Sequence, residues 1–241
     1  LTSTLLGTFL ILAAASVVRS TAGFGFSLVA VPPLALLVEP VAAVVVAGAM
    51  AAPLSLWIAV RDRHHVDRRV TAVTLLSGLS GVPFGVWLLS VLPPDVLMLA
   101  ITAVVLLGTF VVWRRITLRG GLATLVGVGV FSGASLASTG IDGPPMVAAF
   151  QSMGLEPRVQ RATLAVVFSG TSLAALAGFA ISGQLTATVG RTLLAGVPAL
   201  FVGILAGERI FGRLDAERFR RVVLGLLVVS SVSVVVRVAT S

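Results

Sequence analysis

Two polar stretches interrupt a strongly apolar chain. They are Arg19-Ser20-Thr21-Ala22-Gly23-Phe24-Gly25-Phe26-Ser27 and Ser138-Thr139-Gly140-Ile141-Asp142-Gly143-Pro144-Pro145. A cation, several hydroxyls and several glycines together suit one chemistry, the non-covalent capture of an anion. The cation supplies charge, the hydroxyls supply donors, and glycine lets a ligand approach the backbone. A helix beginning inside a membrane adds unpaired N–H groups and partial positive charge at its first turn. The candidate substrate-binding residues are therefore Arg19, Ser20, Thr21, Gly23, Phe24, Gly25 and Ser27. From the second stretch come Ser138, Thr139, Gly140, Asp142 and Gly143, with Arg161 further on. Pro144 fits the first turn of a helix, where no N–H is needed.

Arg19 is the sharpest of these. It follows a run of apolar residues and precedes another, which places it deep in the membrane, where an arginine costs roughly 2.5–3.5 kcal/mol. It reads either as a fixed cation for an anionic substrate or as a side chain that snorkels to the interface. Asp142 is the acid that lies away from the loops. It reads as a proton-accepting group coupling transport to a proton gradient, as a helix N-cap, or as the counter-ion of Arg19 or Arg161. Arg158 and Arg161 share a helix face; Arg158 reads as a loop arginine and Arg161 as an inward one. Phe24 and Phe26 could wall the site or simply pack. His64-His65 lies among arginines and makes a poor metal site. No nucleophile-elbow, zinc-protease or P-loop spacing occurs, so no enzyme, metal or cofactor is expected.

Ten apolar segments must position these residues: 4–18, 24–38, 41–60, 70–91, 95–113, 120–137, 144–154, 159–182, 188–207 and 219–237. Spanning a bilayer takes about 20 helical residues. The second and seventh segments reach only about 22 and 17 Å at 1.5 Å per residue. They are expected to be half-helices, with Pro32-Pro33 breaking the second. Each polar stretch is followed by a Glu-Pro pair, Glu39-Pro40 and Glu156-Pro157, at nearly the same distance. Gly81-Val82-Pro83 recurs as Gly196-Val197-Pro198, and the run after Asp95 resembles the run after Asp215. The chain thus reads as one all-α polytopic membrane domain of two repeats, 1–118 and 119–241, with five segments each and paired broken half-helices. An odd number of segments inverts the second repeat.

Composition agrees with this class. The 241 residues are 57% hydrophobic and 11% charged, with a mean hydropathy of +1.11. The formal charge of +8 comes from arginine alone, since lysine is absent. These arginines cluster in short loops: 61–69, 114–119 and 209–221. That is the positive-inside pattern of a membrane protein, not a nucleic-acid surface. It places those loops in the cytoplasm and the turns at Pro93-Pro94-Asp95 and 183–188 outside. Trp57, Trp87 and Trp113 fall near segment ends, as interfacial tryptophans do. Residues 1–16 lack the basic start of a signal peptide and are expected to belong to the first helix. Without cysteine there is no disulfide or thiolate site.

At the two motifs the chain resembles the TauE/SafE sulfite exporter family. The residues that carry the likeness are RSTAGFGFSLVAVPPLALL and STGIDGPPMVAAFQSMGLEPRVQRATL. The resemblance implies a polytopic bacterial inner-membrane carrier, mostly exporting, of small sulfur-containing or organic anions such as sulfite or sulfonates. Proton coupling and a homo-oligomer are left open by it. Two other classes fit the motifs: a polyprenyl or lipid-phosphate carrier, which needs a lateral opening between helices, and a passive anion channel, which needs a continuous pore.

Overall fold

The computed structural model describes residues 2–114, 116, 118 and 121–211. Among these residues there are nine α-helices and no strand. The expected tenth segment, 219–237, Asp215 and the arginines Arg115, Arg119, Arg213, Arg218, Arg220 and Arg221 lie outside the described residues.

The helices are α1 (Thr2–Ala22), α2 (Phe26–Leu37), α3 (Pro40–Arg61), α4 (Arg68–Val91), α5 (Pro94–Trp113), α6 (Leu122–Thr139), α7 (Gly143–Ser152), α8 (Pro157–Ile181) and α9 (Ala187–Phe211). All nine apolar segments within the described chain are thus helical. Six of them, α3, α4, α5, α6, α8 and α9, are long and apolar enough to cross a membrane. Their boundaries follow local chemistry. Proline opens α3, α5 and α8, where a missing N–H is harmless. The Asp67 carboxylate caps α4 by accepting from the N–H groups of Arg69 and Val70, at 3.0 and 2.9 Å.

The two short helices are shorter still than expected, at 12 and 10 residues. That is about 18 and 15 Å, roughly half of a hydrocarbon core near 30 Å. Pro32 and Pro33 do not break α2; the helix runs through both. In so short a helix two prolines remove only two ladder bonds, and dense burial holds the turn.

Both half-helices fold back on the helix before them. Gly7 of α1 lies against Leu37 at the far end of α2, and Gly25 against Val18, so α1 and α2 form a hairpin. Phe131 of α6 shares a cleft with Pro145 and Ala148 of α7, and the Ser132 hydroxyl donates to the Asp142 carbonyl at 2.7 Å. Thus α6 and α7 form the second hairpin. Glycines in the left-handed region make both tips: Gly23 and Gly25 at φ 80° and 90°, Gly140 at 78°.

Glycine seams lock the hairpins to their neighbours. Along α6, Gly129 and Gly133 meet Ser77 and Gly78 of α4, while Gly85 meets Ala134 and Ala137. Along α9, Gly196, Gly203 and Gly207 meet Leu12, Ser16 and Ser20 of α1. Each pair runs parallel. Such small-residue seams let helix backbones approach closely where the surrounding lipid supplies no hydrophobic drive. At the centre α3 and α8 run antiparallel, with Gly48 beside Phe179 at one end and Asp62 beside Arg161 at the other.

Candidate functional site

The two polar motifs meet where the hairpin tips cross. Phe24 of the first tip covers Gly143 of the second, so closely that a Cβ on Gly143 would lie 3.0 Å from its ring. Gly140 sits under Val31 of α2 and next to Val44 of α3. The N-termini of α2 and α7 therefore lie deep within the protein, with Phe26 fully buried.

Arg19 is only 1% exposed. It does not snorkel: its Nη2 donates to the Ser55 hydroxyl of α3. Its guanidinium stands over the Phe168 ring of α8, 4.7 Å from the centroid. A charge-assisted hydrogen bond contributes about 1.5–3 kcal/mol and a desolvated cation–π contact about 2. Together these are enough to offset the cost of placing arginine at this depth. The Nε of Arg19 still lacks a partner.

Asp142 is buried at the N-cap position of α7, yet its side chain makes no capping bond. The capping reading is thereby corrected: Pro144 and Pro145 occupy the first turn and offer no N–H groups there. One carboxylate oxygen, Oδ2, has no partner. The charge that acts on Asp142 is Arg19, and the reverse holds as well. No hydrogen-bonded ion pair joins them.

Arg161 does not pair with Asp142. Its Nη1 lies 3.2 Å from Asp62 Oδ2, and its Nη2 donates to the Ser20 carbonyl at 2.9 Å. Arg158 is exposed, as are His64 and His65, in the short 3₁₀ turn Arg63–His65. No cluster of metal-ligating side chains occurs among the described residues.

The expected hydroxyl donors are all buried, but three are directed inward along their own helices. Thr21, Ser138 and Thr139 donate to the carbonyls of Val17, Ala134 and Ser135. Back-bonding of this kind satisfies a hydroxyl that has no water nearby. Ser20 and Ser27 are buried beside them. The glycines are likewise occupied in this conformation. A Cβ on Gly23 would lie 2.9 Å from Arg161 Cγ, and one on Gly25 would lie 3.3 Å from Val18. They admit side chains of the protein where an approaching anion was expected.

The family model for the sulfite exporter TauE/SafE matches residues 8–234. The chain belongs to the TauE/SafE family. A probable sulfite/organosulfonate exporter TauE of Cupriavidus necator is 28% identical over 232 residues, covering 93% of this chain and 91% of that one. No solved structure matches. The TauE/SafE assignment and the six long apolar helices make this a multi-pass membrane transporter.

Four residues of this candidate site escaped the motif reading. Ser55 and Phe168 hold Arg19, Asp62 holds Arg161, and Ser132 holds the backbone of Asp142. Ser55 had a signal, a lone hydroxyl inside an apolar span, and Ser132 begins a run with Ser135 and Ser138 along α6. Phe168 had none, because nothing local distinguishes it from a packing residue.

Proposed function

We propose that this TauE/SafE protein is a secondary transporter that exports small sulfur-containing or organic anions, sulfite or sulfonates, across a bacterial inner membrane. The anion binds at Arg19, between the N-termini of α2 and α7. The observation that carries the reading is the unpartnered, buried Nε of Arg19, in the last turn of α1 before the Gly23 and Gly25 tip that leads into α2. A planar guanidinium matches the oxygens of a sulfonate or sulfite, and the helix starts add partial positive charge. Ser55 and Phe168 orient the cation without neutralising it, which leaves its charge for a ligand.

Two inverted repeats, 1–118 and 119–241, would generate such a site. In support, α1 packs on α9 as α6 packs on α4, and the third helices of the two halves, α3 and α8, are antiparallel. Rocking of one half against the other then exposes the site to each side in turn.

A lipid-phosphate carrier has one observation in its favour. A cleft of about 250 Å³ opens between α5, α6 and α7, lined by Leu107, Val111, Ile116, Leu118, Phe131, Pro145 and Ala148. Every lining residue is apolar, so a phosphate head group finds no donor there. The soluble anion remains the better fit.

Proteoliposomes loaded with labelled sulfite, sulfoacetate or isethionate test the reading. Wild-type protein is expected to release at least one of them, and Arg19→Ala protein none. Release at equal rates from both would overturn the site; release of none by the wild type would overturn the substrate class.

A further inference from the structure

Resting on the anion site just proposed, a second consequence concerns what travels with the anion. Asp142 sits at the start of α7 with one carboxylate oxygen uncommitted: the side chain caps no helix and Oδ2 has no partner. Its backbone is fixed from α6 by Ser132. The turn that carries it is covered by Val31 of α2 and Val44 of α3, while Gly108 of α5 packs on Pro144 and Phe24 covers Gly143. All of these are apolar or glycine. Among the described residues the charged group that acts on it is Arg19, in the last turn of α1 just before the tip whose Phe24 covers Gly143. Arg161 of α8 is committed to Asp62 and to Ser20. Among the described residues, one cation and one carboxylate thus share a buried, mostly apolar site that an anion must also enter.

Two negative charges beside a single guanidinium, with no water to screen them, repel strongly. Like charges forced together in this way are relieved when one of them protonates. We propose that Asp142 and the transported anion compete for Arg19, and that each anion enters with one proton, which the Asp142 carboxylate takes up. The proton comes from the aqueous side open to the site and leaves with the anion on the other side. In the empty state Asp142 is the counter-charge of Arg19; in the loaded state it is a neutral acid. Loading then adds one anion and one proton, so a monoanion crosses without net charge.

Isethionate is a suitable probe because it stays a monoanion between pH 5 and 8, so any proton taken up is the protein's. Calorimetric titration of purified wild-type protein in two buffers of different ionisation enthalpy should show close to one proton taken up per isethionate. Over the range where Asp142 is ionised in the empty protein, Kd should rise about tenfold per pH unit. Asp142→Asn should bind with no proton uptake and no such slope. In proteoliposomes a potassium-diffusion potential should leave wild-type isethionate flux unchanged and should drive the flux of Asp142→Asn. Binding by the wild type with no proton uptake would overturn this proposal and leave the anion site standing. Potential-driven flux through the wild type would do the same. No binding of isethionate, sulfite or sulfoacetate at any of these pH values would overturn both.

Discussion

The Arg161 guanidinium of α8 donates to the carbonyl oxygen of Ser20 on α1 at 2.9 Å, while its other nitrogen meets Asp62 beyond the end of α3. One side chain therefore ties three helices together next to Arg19. Its stem also lies against Gly23 at the hairpin tip. The residue that sequence spacing offered as a ligand is, in this conformation, the clasp on one end of the site.

Breaking that clasp should cost stability before it costs recognition. Arg161→Ala leaves the Asp62 carboxylate and the Ser20 carbonyl without their donor, an effect of about 3 kcal/mol when such a pair is buried. Thermal unfolding in detergent should show a lower midpoint. Asp62→Asn, which keeps a hydrogen-bond acceptor, should lower it less. An unchanged midpoint in Arg161→Ala would remove the clasp from the account.

Arg19 is expected to behave oppositely. Arg19→Ala should abolish anion binding, and Arg19→Lys should keep only part of it, because a point charge cannot replace the planar fork. Arg68→Ala, at an exposed position, should bind almost normally. Equal losses at 19 and 68 would point to a general field effect with no defined site.

Ser55 orients Arg19, so its removal should be felt in affinity. Ser55→Ala deletes one charge-assisted hydrogen bond, worth about 1.5–3 kcal/mol, and should weaken anion binding by roughly tenfold or more. The helix itself should be unaffected, since the Ser55 hydroxyl otherwise only back-bonds to Ala51. A binding curve that coincides with the wild type would show that Arg19 needs no such support.

Two glycines of α6 separate packing from propensity. A Cβ on Gly133 would overlap the backbone of Gly78, whereas one on Gly127 meets nothing within 4 Å. Gly133→Ala should push α4 and α6 apart and lower folded yield sharply. Gly127→Ala should be neutral or stabilising, by up to about 1 kcal/mol. Similar melting curves for the two would mean that the α4–α6 seam is looser than described.

Orientation is open to a direct test. Reporter fusions after residue 66 and after residue 154 should both report the cytoplasm, and fusions after residues 93 and 183 the outside. That pattern follows from the arginine-rich loops and from two inverted halves. Fusions at 66 and 154 on opposite sides would exclude the inversion.

How much of this was legible before the fold was known depends on the range of the interaction. Composition and runs of apolar residues determined the membrane class and all nine described helices, because crossing a lipid core demands length and hydrophobicity that local sequence records directly. The brevity of two apolar runs determined that α2 and α7 are short, although the break expected at Pro32-Pro33 does not occur and the left-handed turns at Gly23, Gly25 and Gly140 were not foreseen. The depth of Arg19 also followed from its apolar flanks. The choice of partners did not. Ser55 and Phe168 against Arg19, Asp62 against Arg161, and Gly78 against Gly133 join residues far apart in the chain. A soluble helix advertises its inner face by amphipathic spacing. These helices are apolar nearly all round, since lipid is as apolar as their neighbours. Their rotation is decided by where glycines allow backbones to touch, and only the packed structure records which glycine meets which helix.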